Sequence, residues 1–300
     1  MTDFSSPAAD DRVPKFVRQL GLPGLADIHV HFLPERMQQK VWNYFDQAEQ
    51  SYGTPWPIRY RWPGLQRLRH LRRLGLRAVP ALTYPHKPGM ADWLNQWNAQ
   101  FANEHSDVLR CATFYPEPGA AEVVRQAVQA GARLFKAHVQ VGEYDPTDRL
   151  LDPVWGQLAD QQIPVVIHAG SAPLRGQHTG AEPIARLLDD HPSLVLVIAH
   201  MGMPEYHEFA DLAEQYDGVH LDTTLAFTDF AESLAPVPAG YRARLAELRD
   251  KIVLGSDFPN IPHPYADQVE ALVRLGLGDQ WLRHVLWRNG ARLMGLSDGV

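Results

Sequence analysis

The sequence is short of three things. It holds a single cysteine, it has no apolar run near the roughly 20 residues that span a membrane, and it has no surplus of positive charge. One thiol cannot form an internal disulfide, which points to a reducing compartment. Cys111 sits in the apolar run VLRCATFY and reads as a core thiol rather than a nucleophile. A net charge of −7 carries no electrostatic footprint for nucleic acid. The opening MTDFSSPAADDRVPK lacks the basic start and apolar stretch of a secretory signal. Residues 1–20 therefore read as a flexible tail before a single domain over 21–300. The rest is globular in composition, 45% hydrophobic and 21% charged. The expectation is a cytoplasmic protein with a small-molecule substrate and neither nucleic acid nor membrane as partner; a homodimer stays open.

Eight aliphatic and β-branched runs recur along the chain: 25–31 (LADIHVH), 77–84 (RAVPALTY), 108–115 (VLRCATFY), 132–140 (ARLFKAHVQ), 164–170 (PVVIHAG), 194–202 (LVLVIAHMG), 219–226 (VHLDTTLA) and 251–259 (KIVLGSDFP). Stretches such as AAEVVRQAVQAGA and PIARLLDDH lie between them with helical periodicity and composition. This alternation predicts an α/β protein whose parallel sheet is covered by helices. Eight such units in roughly 250 residues match a (β/α)8 TIM barrel. A doubly wound open sheet is the alternative, but no GxGxxG turn follows a first strand. The stretch LQRLRHLRRLGLRA (65–78) predicts an amphipathic helix with Leu65, Leu68, Leu71 and Leu74 inward and a solvated arginine face. The connection 32–64 is an insertion after the first strand, far longer than an ordinary βα loop and rich in aromatics: Trp42, Tyr44, Phe45, Tyr52, Trp56, Tyr60 and Trp62. An active-site lid, an oligomer contact and simple packing of rings are its open readings.

Barrel enzymes carry their chemistry at the C-terminal ends of the strands. Residues able to bind a metal recur there: His29 and His31 in the first run, His168 in the fifth, His200 in the sixth and Asp257 in the eighth. In an extended chain His29 and His31 share one face. A bare HxH pair is as readily a wet surface pair, but five residues at equivalent positions point to a metal site. Imidazole nitrogen and carboxylate oxygen suit zinc first, and also iron, manganese or cobalt.

In this order HVH, VIHAG, IAHMG and GSDFP resemble the amidohydrolase superfamily, and more narrowly its amidohydrolase-related branch containing aminocarboxymuconate-semialdehyde decarboxylase. The likeness runs from Asp27 to NGARLMGL (289–296), which looks like the family's terminal helix. The resemblance implies one divalent ion, Zn2+ by preference, held by His29, His31, His168 and Asp257. It gives His200 the role of acid and base, and it counts Asp257 with the catalytic residues as well as with the ligands. Lys136 falls where binuclear members carry a carboxylated lysine bridging two metals. In that case His168 and His200 would bind a second ion. The surrounding motifs resemble the mononuclear branch, which predicts one ion and an unmodified Lys136.

Substrate contacts are expected among Lys136, His138, Tyr84, His86 and Arg175, of which Arg175 could clamp a carboxylate. His178, Asn260 and His263 stand nearby in sequence, and for each of these residues a loop-stabilising role is an equal alternative. Asp222 in HLDTT either orients a neighbour or simply ends its strand, and it is not counted among the site residues. The implied function is a metal-dependent hydrolase using a metal-activated water on a small cyclic amide, ester or lactone. The alternative is a metal-dependent, non-oxidative decarboxylase of a small aromatic or muconate-like carboxylic acid. A barrel turned binding or scaffold protein is the third class, and the intact ligand set argues against it.

Overall fold

A computed structural model describes residues 6–297. Among them no helix is long and apolar enough to cross a membrane. The strands are β1 (Val79–Pro80), β2 (Val108–Leu109), β3 (Cys111–Thr113), β4 (Leu134–His138), β5 (Val165–His168), β6 (Leu196–Ile198), β7 (Val219–Asp222) and β8 (Ile252–Val253). Helices alternate with them, as the sequence pattern predicts. The chain divides into two units, one made of Pro80–Asp222 and the other of Met1–Val79 with Thr223–Val300.

In the unit Pro80–Asp222, β3, β4, β5, β6 and β7 form a parallel sheet in sequence order. β5 and β6 read as apolar runs because both faces are buried. The register places His138 opposite His168 at the C-terminal ends of β4 and β5. Cys111 is buried, and burial pushes its thiol up to about 12, so it is a core residue as expected. Trp155 packs its ring edge on Phe114 at 4.9 Å and donates from Nε1 to the Pro146 carbonyl at 2.8 Å. Replacing Trp155 with Ala should lower the unfolding free energy by about 3–5 kcal/mol, read from urea denaturation. A loss below about 1 kcal/mol would show that this ring does not hold the unit together.

In the other unit the run 25–31 is extended, and its backbone is bonded on two sides. Leu25 N donates to Gly75 O at 2.9 Å, and Arg77 N to Leu25 O at 3.1 Å. Ile28 N donates to Leu254 O at 2.9 Å, and His31 N to Phe258 O at 2.7 Å. The ladder amounts to two isolated parallel bridges, Leu25 with Leu76 and Val30 with Phe258, rather than a continuous strand. Alternation buries Ile28 and Val30 completely. Gly290, in the first turn of the helix Asn289–Met294, lies against the Ala26 carbonyl, where any Cβ would collide.

Two expectations need correction here. Residues 10–19 are not a flexible tail: Asp10–Arg12 form a 3-10 helix and Val13–Gln19 an α-helix. Val13, Phe16, Val17 and Leu20 are buried, the helical spacing of one apolar face, with a proline in the first turn. Residues 1–5 of the expected tail lie outside the described residues. The second correction concerns the Leu-rich helix, which runs Gly64–Leu74. Leu68, Leu71 and Leu74 are buried, but Leu65 is 55% exposed while Arg67 and His70 are buried. A three-residue repeat drifts around a helix of 3.6 residues per turn, so the buried face takes in 67 and 70 instead of 65. The connection 32–64 contains the helices Glu35–Phe45 and Ala48–Tyr52. Trp56 packs on Phe230 at 4.6 Å and donates from Nε1 to Asn260 O at 2.8 Å. Tyr60 packs on Phe258 at 4.7 Å. Packing within the unit therefore accounts for Trp56 and Tyr60, while Tyr44 is exposed.

Candidate active site

His29 and His31 are buried and, two apart on extended backbone, turn to the same side. Their Nε2 atoms stand 3.1 Å apart. Asp257 Oδ1 lies 3.0 Å from His31 Nε2 and 4.0 Å from His29 Nε2. Asp257 holds a left-handed backbone at φ 63°, a conformation that a short polar residue accepts more readily than most. Two bonds fix that turn: Asp257 N donates to His29 O and Asn260 N to Asp257 O, each at 2.8 Å.

The three donors fit a metal ion. Atoms bound about 2.0–2.1 Å from one centre sit roughly 3–4 Å from one another, which is the spacing found. Of the described residues, this trio forms the one cluster of histidine, cysteine or carboxylate ligands whose donor atoms all lie within 4.8 Å. His29 Nδ1 meets Thr224 Oγ1 at 3.1 Å, an outer partner of the kind that orients a ligating imidazole. Asp27 holds both sides of the site at once. Its Oδ1 accepts from His29 N at 3.1 Å, and its Oδ2 accepts from Ser256 Oγ at 2.6 Å, one residue before Asp257. Gln38 Nε2 donates to Asn260 Oδ1 at 3.2 Å and braces the turn from the helix Glu35–Phe45.

The unit Pro80–Asp222 gathers a second group. Strand register stacks His138 on His168, ring centroids 4.2 Å apart and nearly parallel at 10°. Tyr84 lies 4.9 Å from the His138 ring, and His200 meets His168 edge-on at 4.8 Å. His168 Nε2 donates to Ala172 O at 3.2 Å. Burial first, then the charges of His200 and Lys136, hold the His168 pKa well below its ordinary value. His168 is thus a neutral imidazole, the form that ligates metals. His138 Nδ1 accepts from Val141 N at 3.3 Å and caps the helix Val139–Gly142, so its role is at least partly structural. Lys136 is fully buried in β4, where its carbonyl accepts from Thr113 Oγ1 at 2.7 Å. His200 adopts a left-handed backbone at φ 56°, and its N–H donates to Asp222 Oδ1 at 2.9 Å.

The remaining candidates are dispersed. His86 and Arg175 are exposed, and Arg175 makes no ion pair among the described residues. His178 Nδ1 lies 3.6 Å from Asp145 Oδ2. His263 is buried and donates from Nδ1 to Pro264 O at 2.8 Å. Sequence reasoning missed Thr224, Ser256 and Asp27, and it left Asp222 open between orienting a neighbour and ending its strand. One signal was present: Asp27, His29 and His31 share a face by strict alternation.

Residues 26–296 match the sequence model described as amidohydrolase. No curated protein matches the chain. Among solved structures it is similar to an uncharacterized TIM-barrel protein from Bordetella bronchiseptica, with TM-score 0.61 and 18% identity over 95% of this chain and 90% of that one. It is similar to 5-carboxyvanillate decarboxylase from Novosphingobium aromaticivorans, solved with manganese and 4-hydroxy-3-methoxy-5-nitrobenzoic acid, with TM-score 0.61 and 16% identity over 93% and 97%. It is also similar to a probable 2-pyrone-4,6-dicarboxylic acid hydrolase from Acinetobacter baumannii, solved with citric acid, with TM-score 0.57 and 14% identity over 91% and 100%. At such identities the likeness speaks for the fold, which is the α/β TIM barrel predicted from the alternating runs.

Proposed function

The chain belongs to the amidohydrolase family, and on that footing we propose that it is a metal-dependent hydrolase of a small cyclic amide, ester or lactone. The observation that carries this reading is the convergence of His29, His31 and Asp257 on donor distances of 3.0–4.0 Å. A divalent ion held there would supply Lewis acidity and an activated water. The residues do the rest. His29 and His31 point fixed nitrogen lone pairs, Asp257 contributes the charge that balances the ion, and Thr224 sets the tilt of His29. His168 enters as fourth ligand, and His200 as the group that takes and returns the proton, through the likeness of VIHAG and IAHMG to the family motifs. One ion per chain is proposed, with zinc ahead of manganese for a donor set of nitrogen and one carboxylate.

A second reading, the non-oxidative decarboxylase, is favoured by the likeness to a decarboxylase over 97% of that protein's length. There His200 would deliver a proton to the carbon that loses carbon dioxide. One screen separates the two. Protein made with zinc and manganese supplied is offered lactones, cyclic amides and aromatic carboxylates, while ring opening and carbon dioxide are measured. Ring opening without carbon dioxide is the expected result. Carbon dioxide from an aromatic acid, with no cyclic compound opened, would replace the first reading by the second. Protein that holds no stoichiometric metal would overturn both.

A further inference from the structure

We propose that Asp10, in the N-terminal 3-10 helix, is a positioning residue for the metal centre, acting through hydrogen bonds that end beside His29 and Asp257. The inference rests on the reading that His29, His31 and Asp257 hold the ion. Asp10 is far from them in sequence and touches none of them. Its Oδ2 accepts from Tyr60 OH at 2.6 Å and from His70 Nε2 at 3.0 Å, and its Oδ1 accepts from Ala266 N at 2.9 Å. The Tyr60 hydroxyl in turn accepts from Tyr265 N at 2.6 Å. Tyr265 OH then donates to Asp27 Oδ2 at 2.9 Å. Asp27 is the residue that binds the His29 N–H and the Ser256 hydroxyl, and Ser256 Oγ accepts from Phe258 N at 3.2 Å. The line thus reaches the backbone on both sides of the ligand set.

Its physical character suits positioning. Tyr60, Tyr265, Asp27 and Ser256 are all buried, where competing water is absent and hydrogen bonds to charged acceptors are strong. Each hydroxyl has a set direction. Tyr60 must donate to the Asp10 carboxylate because it accepts from a backbone N–H, and Tyr265 must donate to the Asp27 carboxylate. Burial alone would raise the Asp10 carboxyl, but hydrogen bonds from His70, Tyr60 and Ala266 hold it below the ordinary range, so it stays a pure acceptor at neutral pH. Between them the two carboxylates fix the start of the helix Tyr265–Arg274, Asp10 through the Ala266 N–H and Asp27 through the Tyr265 hydroxyl. Ligand atoms that must meet an ion within tenths of an ångström need such support.

The test uses the full chain and the metal alone. Asp10→Ala, Tyr60→Phe and Tyr265→Phe are compared with wild type for Zn2+ and Mn2+ affinity by chelator competition, with the melting temperature of each metal-free protein alongside. Phe16→Ala is the control: it loosens the same N-terminal region but leaves the hydrogen bonds in place. Each of the three variants should bind metal about 3–30-fold more weakly, at or below the cost of changing an outer partner. Asp10→Ala combined with Tyr60→Phe should be no weaker than the worse single change, because both cut the same line. Phe16→Ala should lower the melting temperature and leave metal affinity within about twofold, the spread of ordinary context effects. Equal weakening by Phe16→Ala, or unchanged affinity in all three variants, would overturn the proposal. If Asp10→Ala does not fold, Tyr265→Phe decides, since it removes one hydroxyl and keeps the ring. Wild-type protein that binds neither ion would instead bring down the reading of the centre itself.

Discussion

Replacing Asp257 with alanine should strip the protein of metal and of activity together. Asp257 supplies the single carboxylate of the cluster, 3.0 Å from His31 Nε2. Without it the ion's positive charge would have no carboxylate to balance it in a buried place, and burying a charge without a balancing partner is costly. Outer partners of ligands are worth 10–100-fold in affinity, so loss of this ligand should exceed about 100-fold. Metal analysis after dialysis reads the result without any substrate. Alanine also sits poorly at the φ of 63° found here, which mixes backbone strain with lost charge. Asp257→Asn separates them, because asparagine accepts that backbone and keeps the shape while losing the charge. Asn should still lose most of its metal. If it binds as tightly as wild type, the carboxylate is not a ligand and the third donor lies elsewhere.

The parts of this centre that are legible in the sequence are those whose signal is local. Alternation places His29 and His31 on one face, and the apolar run ending in GSDFP places Asp257 at the end of its strand. The same rules locate β4 to β7 closely, because a doubly covered parallel sheet leaves long apolar runs. What escapes depends on contacts distant in sequence. Thr224 and His29 are separated by 195 positions, and nothing in HLDTT marks the second threonine as a partner of a histidine. Asp222 serves a backbone N–H, His200's, and backbone groups have no sequence signature. Charge alone puts Arg67 in water, yet it is buried under the rings of Phe32 and Trp42 with Nη1 on Gln38 Oε1 at 2.8 Å. Its long stem and flat head pack well against rings, which a charge-based reading ignores. The N-terminal helix escapes for another reason. Its apolar face, Val13, Phe16, Val17 and Leu20, directly follows a polar stretch that masks it.

Replacing His200 should do the reverse of replacing Asp257: metal content stays near wild type while turnover falls by roughly 10²–10⁴, the worth of a positioned acid and base. That is about 2.7–5.5 kcal/mol of barrier. The His200 backbone is fixed by the N–H bond to Asp222 Oδ1 and by the left-handed turn at φ 56°, while its ring meets His168 edge-on. A side-chain change therefore leaves the seat intact. His200→Asn is the better variant, since asparagine tolerates that turn and cannot take up a proton near neutral pH. His200→Ala checks that Asn brings no new hydrogen bond of its own. The edge-on contact of His200 with His168 at 4.8 Å gives the experiment a second reading. The charge of His200 is among the influences that hold His168 neutral, so its removal can only make His168 easier to protonate. Metal content should accordingly be compared at pH 8, where His168 is neutral in every variant. If His200→Asn loses metal as readily as Asp257→Asn under those conditions, His200 is a ligand rather than the acid and base. A second ion with Lys136 carboxylated would then be the reading to pursue, and mass analysis of the intact chain under native conditions would detect the added carbon dioxide.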